Sequence, residues 1–263
     1  MQYDHLYGLF VVALTFGALA VYGVRVFVRG FAQYDRVNAA GGSPLLSKRL
    51  MEFGYWALTP LARTCVRAGI TPNHITWFSL LLGVGAGVAL ACGLLGLGAL
   101  LSLISTLSDS LDGQVARLTQ SGSAAGEVFD ASVDRYGDFF YIAGLVVFYR
   151  DSAIFMWVAL LALLASFMVS YATAKAEAMH VDPPRGAMRR HERSVYLITG
   201  CVLSSIVSPW LEPFPGYPAL RAIPCLAALI VVAAIGNYSA ARRLWLTARA
   251  LRERDGGPAG PAA

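Results

Sequence analysis

Five aspartates, Asp109, Asp112, Asp130, Asp134 and Asp138, are gathered in the stretch SDSLDGQVARLTQSGSAAGEVFDASVDRYGD, in or beside apolar segments. An ionised carboxylate in such surroundings needs a cation, a proton or water to compensate it, and acids within apolar runs are functional by default. Asp109 and Asp112 are three residues apart, so both point to one helix face, which Ala116 continues. Asp130 and Asp134 are four apart and share a face of the next helix. The short connection from Leu118 to Ala125 makes these two helices antiparallel neighbours, so the two pairs of carboxylates converge. Their four negative charges match two divalent cations. With only oxygen ligands, and no His or Cys in the cluster, Mg²⁺ or Mn²⁺ is favoured over Zn²⁺.

The neighbours of the acids suggest what the ions would act on. Gly113, Ala116 and Gly126 are small enough for helices or a ligand backbone to approach closely. Arg117 lies one turn past Gly113, where its guanidinium could grip phosphate oxygens in bidentate fashion. Carboxylates for metal, metal for a diphosphate and an arginine for remaining charge form a phosphoryl-transfer constellation. A cation or proton transporter would also bury acids, but it does not account for the glycine and arginine positions.

The elements that must hold these residues are membrane helices. Hydrophobic residues make up 57% of the 263 and charged residues only 14%, well below the share in soluble domains, so the chain reads as an integral-membrane protein. Seven apolar segments are predicted to span, at 6–28, 74–96, 97–119, 125–149, 153–179, 194–209 and 219–245. The first is read as a retained helix, because no basic region precedes it and no convincing cleavage site follows. Aromatic residues near the ends, among them Tyr34, Tyr55, Trp56, Trp77, Trp210, Tyr217 and Trp245, suit the interface. Basic residues cluster in alternate connections: Arg29, Arg36, Lys48, Arg49, Arg63 and Arg67; Arg117; Arg185, Arg189, Arg190 and Arg193; Arg249, Arg252 and Arg254. The positive-inside rule then places the N-terminus outside and the C-terminus in the cytoplasm. Scattered in this way, the net charge of +5 gives no nucleic-acid surface. Residues 44–69 alternate apolar and basic positions at near-helical spacing and read as a helix lying in the cytoplasmic interface. Cys65, Cys92, Cys201 and Cys225 form no metal-type pair and read as small buried hydrophobes.

The acidic stretch carries a family resemblance. Asp109, Asp112, Gly113, Ala116, Arg117, Gly126, Asp130 and Asp134 reproduce the pattern DxxDGxxAR, eight residues, G, three residues, D, three residues, D, and so resemble the CDP-alcohol phosphotransferases. The resemblance implies an all-α integral-membrane fold: a six-helix transmembrane bundle preceded by an interfacial helix, with one extra N-terminal transmembrane helix here. The implied division is 1–43 for the extra helix and linker, 44–246 for the phosphotransferase domain and 247–263 for a disordered cytoplasmic tail. The resemblance also implies that Asp109, Asp112, Asp130 and Asp134 surround two Mg²⁺ or Mn²⁺ ions. Asp134 would be the general base, taking the proton of an acceptor hydroxyl that attacks a CDP-linked lipid and releases CMP. Gly113 and Arg117 match positions that contact nucleotide and diphosphate. Thr71-Pro72-Asn73-His74-Ile75-Thr76 resembles the TPNxxT entry to the first core helix, which implies nucleotide contacts for Asn73 and Thr76, and Ser123 matches a further one.

Within that family the sequence is most similar to bacterial phosphatidylinositol phosphate synthases, through DASVDRYGD at 130–138, Ser170-Tyr171 with Lys175-Ala176-Glu177, and Arg190-His191-Glu192-Arg193. This implies Lys175, Arg190 and Arg193 as contacts for an acceptor phosphate. Thr173 stands where those enzymes usually have a lysine, and His191 where they have a proline. The resemblance further implies a bacterial inner-membrane location with the site facing the cytoplasm, and a homodimer, since homodimers occur in the family. The lipid bilayer, the CDP-linked donor and a polar alcohol such as inositol phosphate are the partners expected.

Overall fold

A computed structural model describes residues 3–31, 34, 48–182, 188, 190–210 and 222–256. Among these it contains eight helices and no strand: α1 Asp4–Arg29, α2 Lys48–Arg67, α3 Pro72–Ala91, α4 Leu95–Leu118, α5 Ala124–Phe148, α6 Ala153–Ala178, α7 Arg190–Val207 and α8 Ile223–Arg254. Arg36, the start of the amphipathic segment at 44–47, Arg185, Arg189, the side chain of Arg190, Tyr217 and the tail from 257 lie outside the described residues.

Four helices, α1, α3, α6 and α8, are long and apolar enough to cross a membrane on length and composition alone. The expected seven are reached only by adding α4, α5 and α7. Polar side chains explain the difference: α4 and α5 carry the aspartates, and α7 is short and opens on charged residues. Three boundaries also move. The α3 helix ends at Ala91, five residues before the expected 96, because the chain turns at Gly93. The α7 helix starts four residues earlier than the expected 194. The α8 helix runs on to Arg254, past the expected end of the domain at 246, and an Arg249–Glu253 pair at 2.8 Å supports its last turns.

The core is built by small-residue crossings. Helix α3 packs on both α4 and α5, α6 packs on α8, and α7 bridges α8 and α4. At the α3–α5 crossing the backbones nearly touch: a β-carbon on Gly87 would collide with the Phe140 carbonyl oxygen, and one on Gly144 with that of Gly87. This approach sets α4 and α5 on either side of α3, with the acidic end of each at the same end of the molecule. The amphipathic α2 packs on α4 through Leu58, Ala62 and Cys65, which join Ile75, Leu111 and Val115 in a second core cluster. Cys201 and Cys225 are also buried, 3.6 Å apart, whereas Cys92 is exposed, so the reading of all four cysteines as buried fails at Cys92. Cys92 is the residue that closes α3, one position before the turn at Gly93.

Candidate active site

The acids are delivered by two helix ends. Helix α5 begins at Ser123, whose extended backbone and hydroxyl, accepting from Gly126 N at 3.1 Å, form an N-cap. Helix α3 begins at Thr71 in the same way, with its hydroxyl accepting from His74 N and Pro72 in the first turn, where a missing N–H costs nothing. From these starts Asp130 falls two turns into α5, opposite Asp109 and Asp112 near the end of α4.

Side-chain oxygens of Asp109, Asp112 and Asp130 all lie within 4.8 Å of one another. Asp112 is buried, and the other two are half-buried. Two unit charges 4–5 Å apart at an effective dielectric of about 20 repel by roughly 3–4 kcal/mol, so three ionised carboxylates at this spacing call for a positive charge among them. The donor set is all hard oxygen and fits a divalent cation of the Mg²⁺ or Mn²⁺ kind. The hydroxyl of Thr76 donates to Asp112 Oδ2 at 2.6 Å and fixes that carboxylate from α3. Thus Thr76, expected at the nucleotide, is buried behind an acid, while Asn73 and Ser123 are exposed at the helix starts.

Asp134 does not belong to the tight group of three. It lies one turn further along α5 and lines a small cavity of about 40 Å³, of mixed polar and apolar walls, together with Asp109, Asp138, Ser105, Thr106 and Arg193. Asp109 therefore faces both the trio and the cavity. At the far wall Arg193 Nη2 donates to Asp138 Oδ2 at 2.9 Å, joining α7 to α5. Arg193 is 2% exposed, and its Nε and Nη1 are buried without a hydrogen-bond partner among the described residues.

The opposite side of the trio faces outward. Arg117 is exposed, and its guanidinium folds back over Gly113, where a β-carbon would lie 3.3 Å from Nη1. That carbon would crowd the arginine, which is a local reason for glycine at this position. The ring of Tyr55, on α2, sits 5.6 Å from the Arg117 guanidinium carbon, and Arg117 Nη2 reaches Tyr55 Oη at 3.5 Å. Lys175 is exposed near the end of α6. Neither periodicity nor motif singles out Arg243. It is buried on α8 and donates to Thr173 Oγ1 at 2.7 Å and to the Met188 carbonyl at 3.1 Å. The only signal for it is the Arg242-Arg243 run, which reads equally well as cytoplasmic charge. Tyr55 was legible as an interface aromatic but not as a neighbour of Arg117.

Comparison with known proteins bears on what this geometry does. The family model for CDP-alcohol phosphatidyltransferase matches residues 69–235. The chain is 36% identical over 151 residues to a phosphatidylinositol phosphate synthase of Mycolicibacterium smegmatis, covering 56% of this chain and 68% of that protein. It is 30% identical over 178 residues to an archaetidylinositol phosphate synthase of Methanothermobacter thermautotrophicus, covering 68% and 83%. Crystal structures of the Mycobacterium tuberculosis phosphatidylinositol phosphate synthase are similar in fold at 28% identity. The form with CDP-DAG bound superposes with a TM-score of 0.60 over 72% of this chain and 92% of that one. The form in complex with manganese and citrate gives 0.62 over 72% and 88%.

Proposed function

Since the chain belongs to the CDP-alcohol phosphatidyltransferase family, and is accordingly a transferase of phospholipid synthesis, we propose that it moves a phosphatidyl group from CDP-diacylglycerol to a polar alcohol phosphate of the inositol phosphate class, releasing CMP. The single observation that carries this reading is the approach of Asp109, Asp112 and Asp130 to within 4.8 Å of one another, with Asp134 lining the cavity that Asp109 shares. The nature of the relatives supports the donor and acceptor classes.

Asp109, Asp112 and Asp130 would hold the divalent cations, with Asp134 at their edge. Those ions would offset the diphosphate charge and polarise the phosphorus under attack. Thr76 keeps Asp112 turned toward the trio. Arg117, above Gly113, takes the outer phosphate oxygens of the donor, Asn73 and Ser123 mark the helix starts around the nucleotide, and Thr76 acts on the donor only through Asp112. Asp134, next to the cavity and outside the tight group, takes the proton of the acceptor hydroxyl. The freed oxygen forms a bond to the β-phosphorus, the bond from that phosphorus to the bridging oxygen breaks, and CMP departs with the electron pair. Lys175, Arg190 and Arg193 are assigned to the acceptor phosphate; Arg193 offers Nε and Nη1 from the cavity wall while Nη2 stays on Asp138.

In the same reading residues 44–246 are the catalytic domain, a six-helix bundle of α3–α8 with α2 lying in the interface. The extra α1 adds a seventh span, and α8 continues past 246 to Arg254. The chain sits in the bacterial inner membrane as a homodimer, with the site at the cytoplasmic face, where water-soluble CMP and alcohol phosphate are exchanged. The cation-transporter alternative gains nothing from the relatives, all of which are named as synthases in the comparisons above. The test is CMP release by purified protein given CDP-diacylglycerol and a panel of inositol phosphate, glycerol phosphate, serine and inositol. CMP is expected with Mg²⁺ and fastest with inositol phosphate. Equal rates across the panel would remove the acceptor assignment, and no CMP with any acceptor would remove the reaction.

A further inference from the structure

Helix α1, which like α2 lies outside the family match, is bonded directly to the start of α4 and reaches the other end of α4 through α2. At its start, both carboxylate oxygens of Asp4 are used: Gly96 N donates to Oδ2 at 2.8 Å and Leu97 N to Oδ1 at 3.0 Å. Helix α4 has no side-chain cap of its own, since Leu94 stands at its N-cap, so an acid 92 residues earlier supplies what the local sequence lacks. Gly96 permits this approach to α4, and Gly8 permits the approach of α1 to α7. A β-carbon on Gly96 would collide with the Asp4 carbonyl oxygen, and one on Gly8 with Ser205 Oγ of α7.

At the other end of α1, Tyr22 is 6% exposed and packs on Phe53 and Trp56 of α2, with ring centroids 5.4 and 5.1 Å away. Arg25 lies over the rings of Tyr22 and Trp56 at 5.9 and 6.0 Å. Tyr55 is the neighbour of Trp56 and reaches Arg117 near the end of α4. A continuous series of contacts therefore runs from α1 through α2 to the arginine above Gly113.

We propose that α1 is a positioning clamp on α4, the helix that carries Asp109, Asp112 and Arg117. Asp4 fixes the outer end of α4, and Tyr22 with Arg25 seats α2 so that Tyr55 holds Arg117 in place for the donor diphosphate. The second half of this statement rests on the reading of Arg117 as a donor contact. Asp4, Tyr22 and Arg25 touch no reacting group; they act through Tyr55 and through the axis of α4.

The test uses the full chain in lipid nanodiscs, with two readouts. The first is amide hydrogen exchange. Asp4→Ala should speed exchange at Gly96 and Leu97 by about tenfold or more, as expected for a lost hydrogen bond to a carboxylate. Asp4→Asn, which keeps one acceptor oxygen, should fall between it and wild type. Tyr22→Ala should speed exchange across 48–67, and Tyr22→Phe should not, because the Tyr22 hydroxyl has no hydrogen-bond partner among the described residues. The second readout is kinetic. Tyr22→Ala should raise KM for CDP-diacylglycerol several-fold with KM for the acceptor unchanged, and adding it to Arg117→Ala should raise donor KM no further. Unchanged exchange in both Asp4→Ala and Tyr22→Ala would overturn the clamp whatever the kinetics. Arg117→Ala with donor KM at the wild-type value would instead remove the donor reading of Arg117, leaving the exchange results to decide the clamp. Arg117→Ala raising donor KM while Tyr22→Ala leaves it alone would overturn the link from α1 to the site.

Discussion

Thr76 on α3 donates its hydroxyl proton to Asp112 Oδ2 at 2.6 Å, across 36 residues of sequence. The bond ties the first helix of the family match to the helix that carries the metal-type acids, and it leaves the other oxygen of Asp112 for the trio. Hydrogen bonds to charged groups are worth about 1.5–3 kcal/mol. Thr76→Val should therefore raise the Mg²⁺ concentration for half-maximal activity by about 10- to 100-fold, while Thr76→Ser should stay near wild type. A metal titration of CMP release checks this, and identical curves for Val and wild type would show that Thr76 does not orient Asp112.

Asp134→Asn should leave donor and metal binding intact and lower turnover by roughly 10²- to 10⁴-fold, the usual range for a lost general base. CMP release measured beside equilibrium binding of CDP-diacylglycerol separates the two effects. A matching loss of metal binding would show that Asp134 is a ligand first, since it stands outside the tight group of three but next to Asp109.

Some of this site could be read from spacing and some could not. The i, i+3 and i, i+4 intervals put the acids on facing helices, because local periodicity dictates which side chains share a face. The apolar runs located the helices; their ends were missed at α7 and α8, where charged residues enter a helix, and at α3, where the apolar run continues unbroken through the turn at Gly93. Contacts such as Asp4 with Gly96, Thr76 with Asp112 and Arg243 with Thr173 join positions far apart in the chain. No periodicity encodes them, because they depend on which helices pack together. The separation of Asp134 from the other three acids is of the same kind. Spacing places it on the face of Asp130, but only the way α4 and α5 are each set against α3 decides which of the two approaches Asp112.

The Arg193–Asp138 pair is nearly closed off from solvent, with side chains 2% and 20% exposed. Breaking a buried pair by removing one partner costs about 3–5 kcal/mol, because the other charge is stranded. Asp138→Leu should lower the thermal unfolding midpoint clearly, and Asp138→Asn, which keeps an acceptor oxygen, should lower it less. Both should raise KM for the acceptor if Arg193 is held toward it by this bond. An unfolding midpoint unchanged in Asp138→Leu would show that the pair contributes nothing to holding α7 on α5.

Tyr55→Phe should have a small effect on the donor, since the 3.5 Å contact of its hydroxyl with Arg117 is long and the ring stays in place. Tyr55→Ala removes the ring and should raise donor KM several-fold more. The difference between the two variants in a donor titration measures how much of the Arg117 position comes from the ring face.

The most direct measurement is a count of bound Mn²⁺ by electron paramagnetic resonance, on the full chain saturated with CDP-diacylglycerol. Wild type should hold two ions per chain, and Asp109→Ala, Asp112→Ala and Asp130→Ala should each lose at least one of them. Undiminished Mn²⁺ binding in all three variants would contradict the assignment of these carboxylates as the metal site.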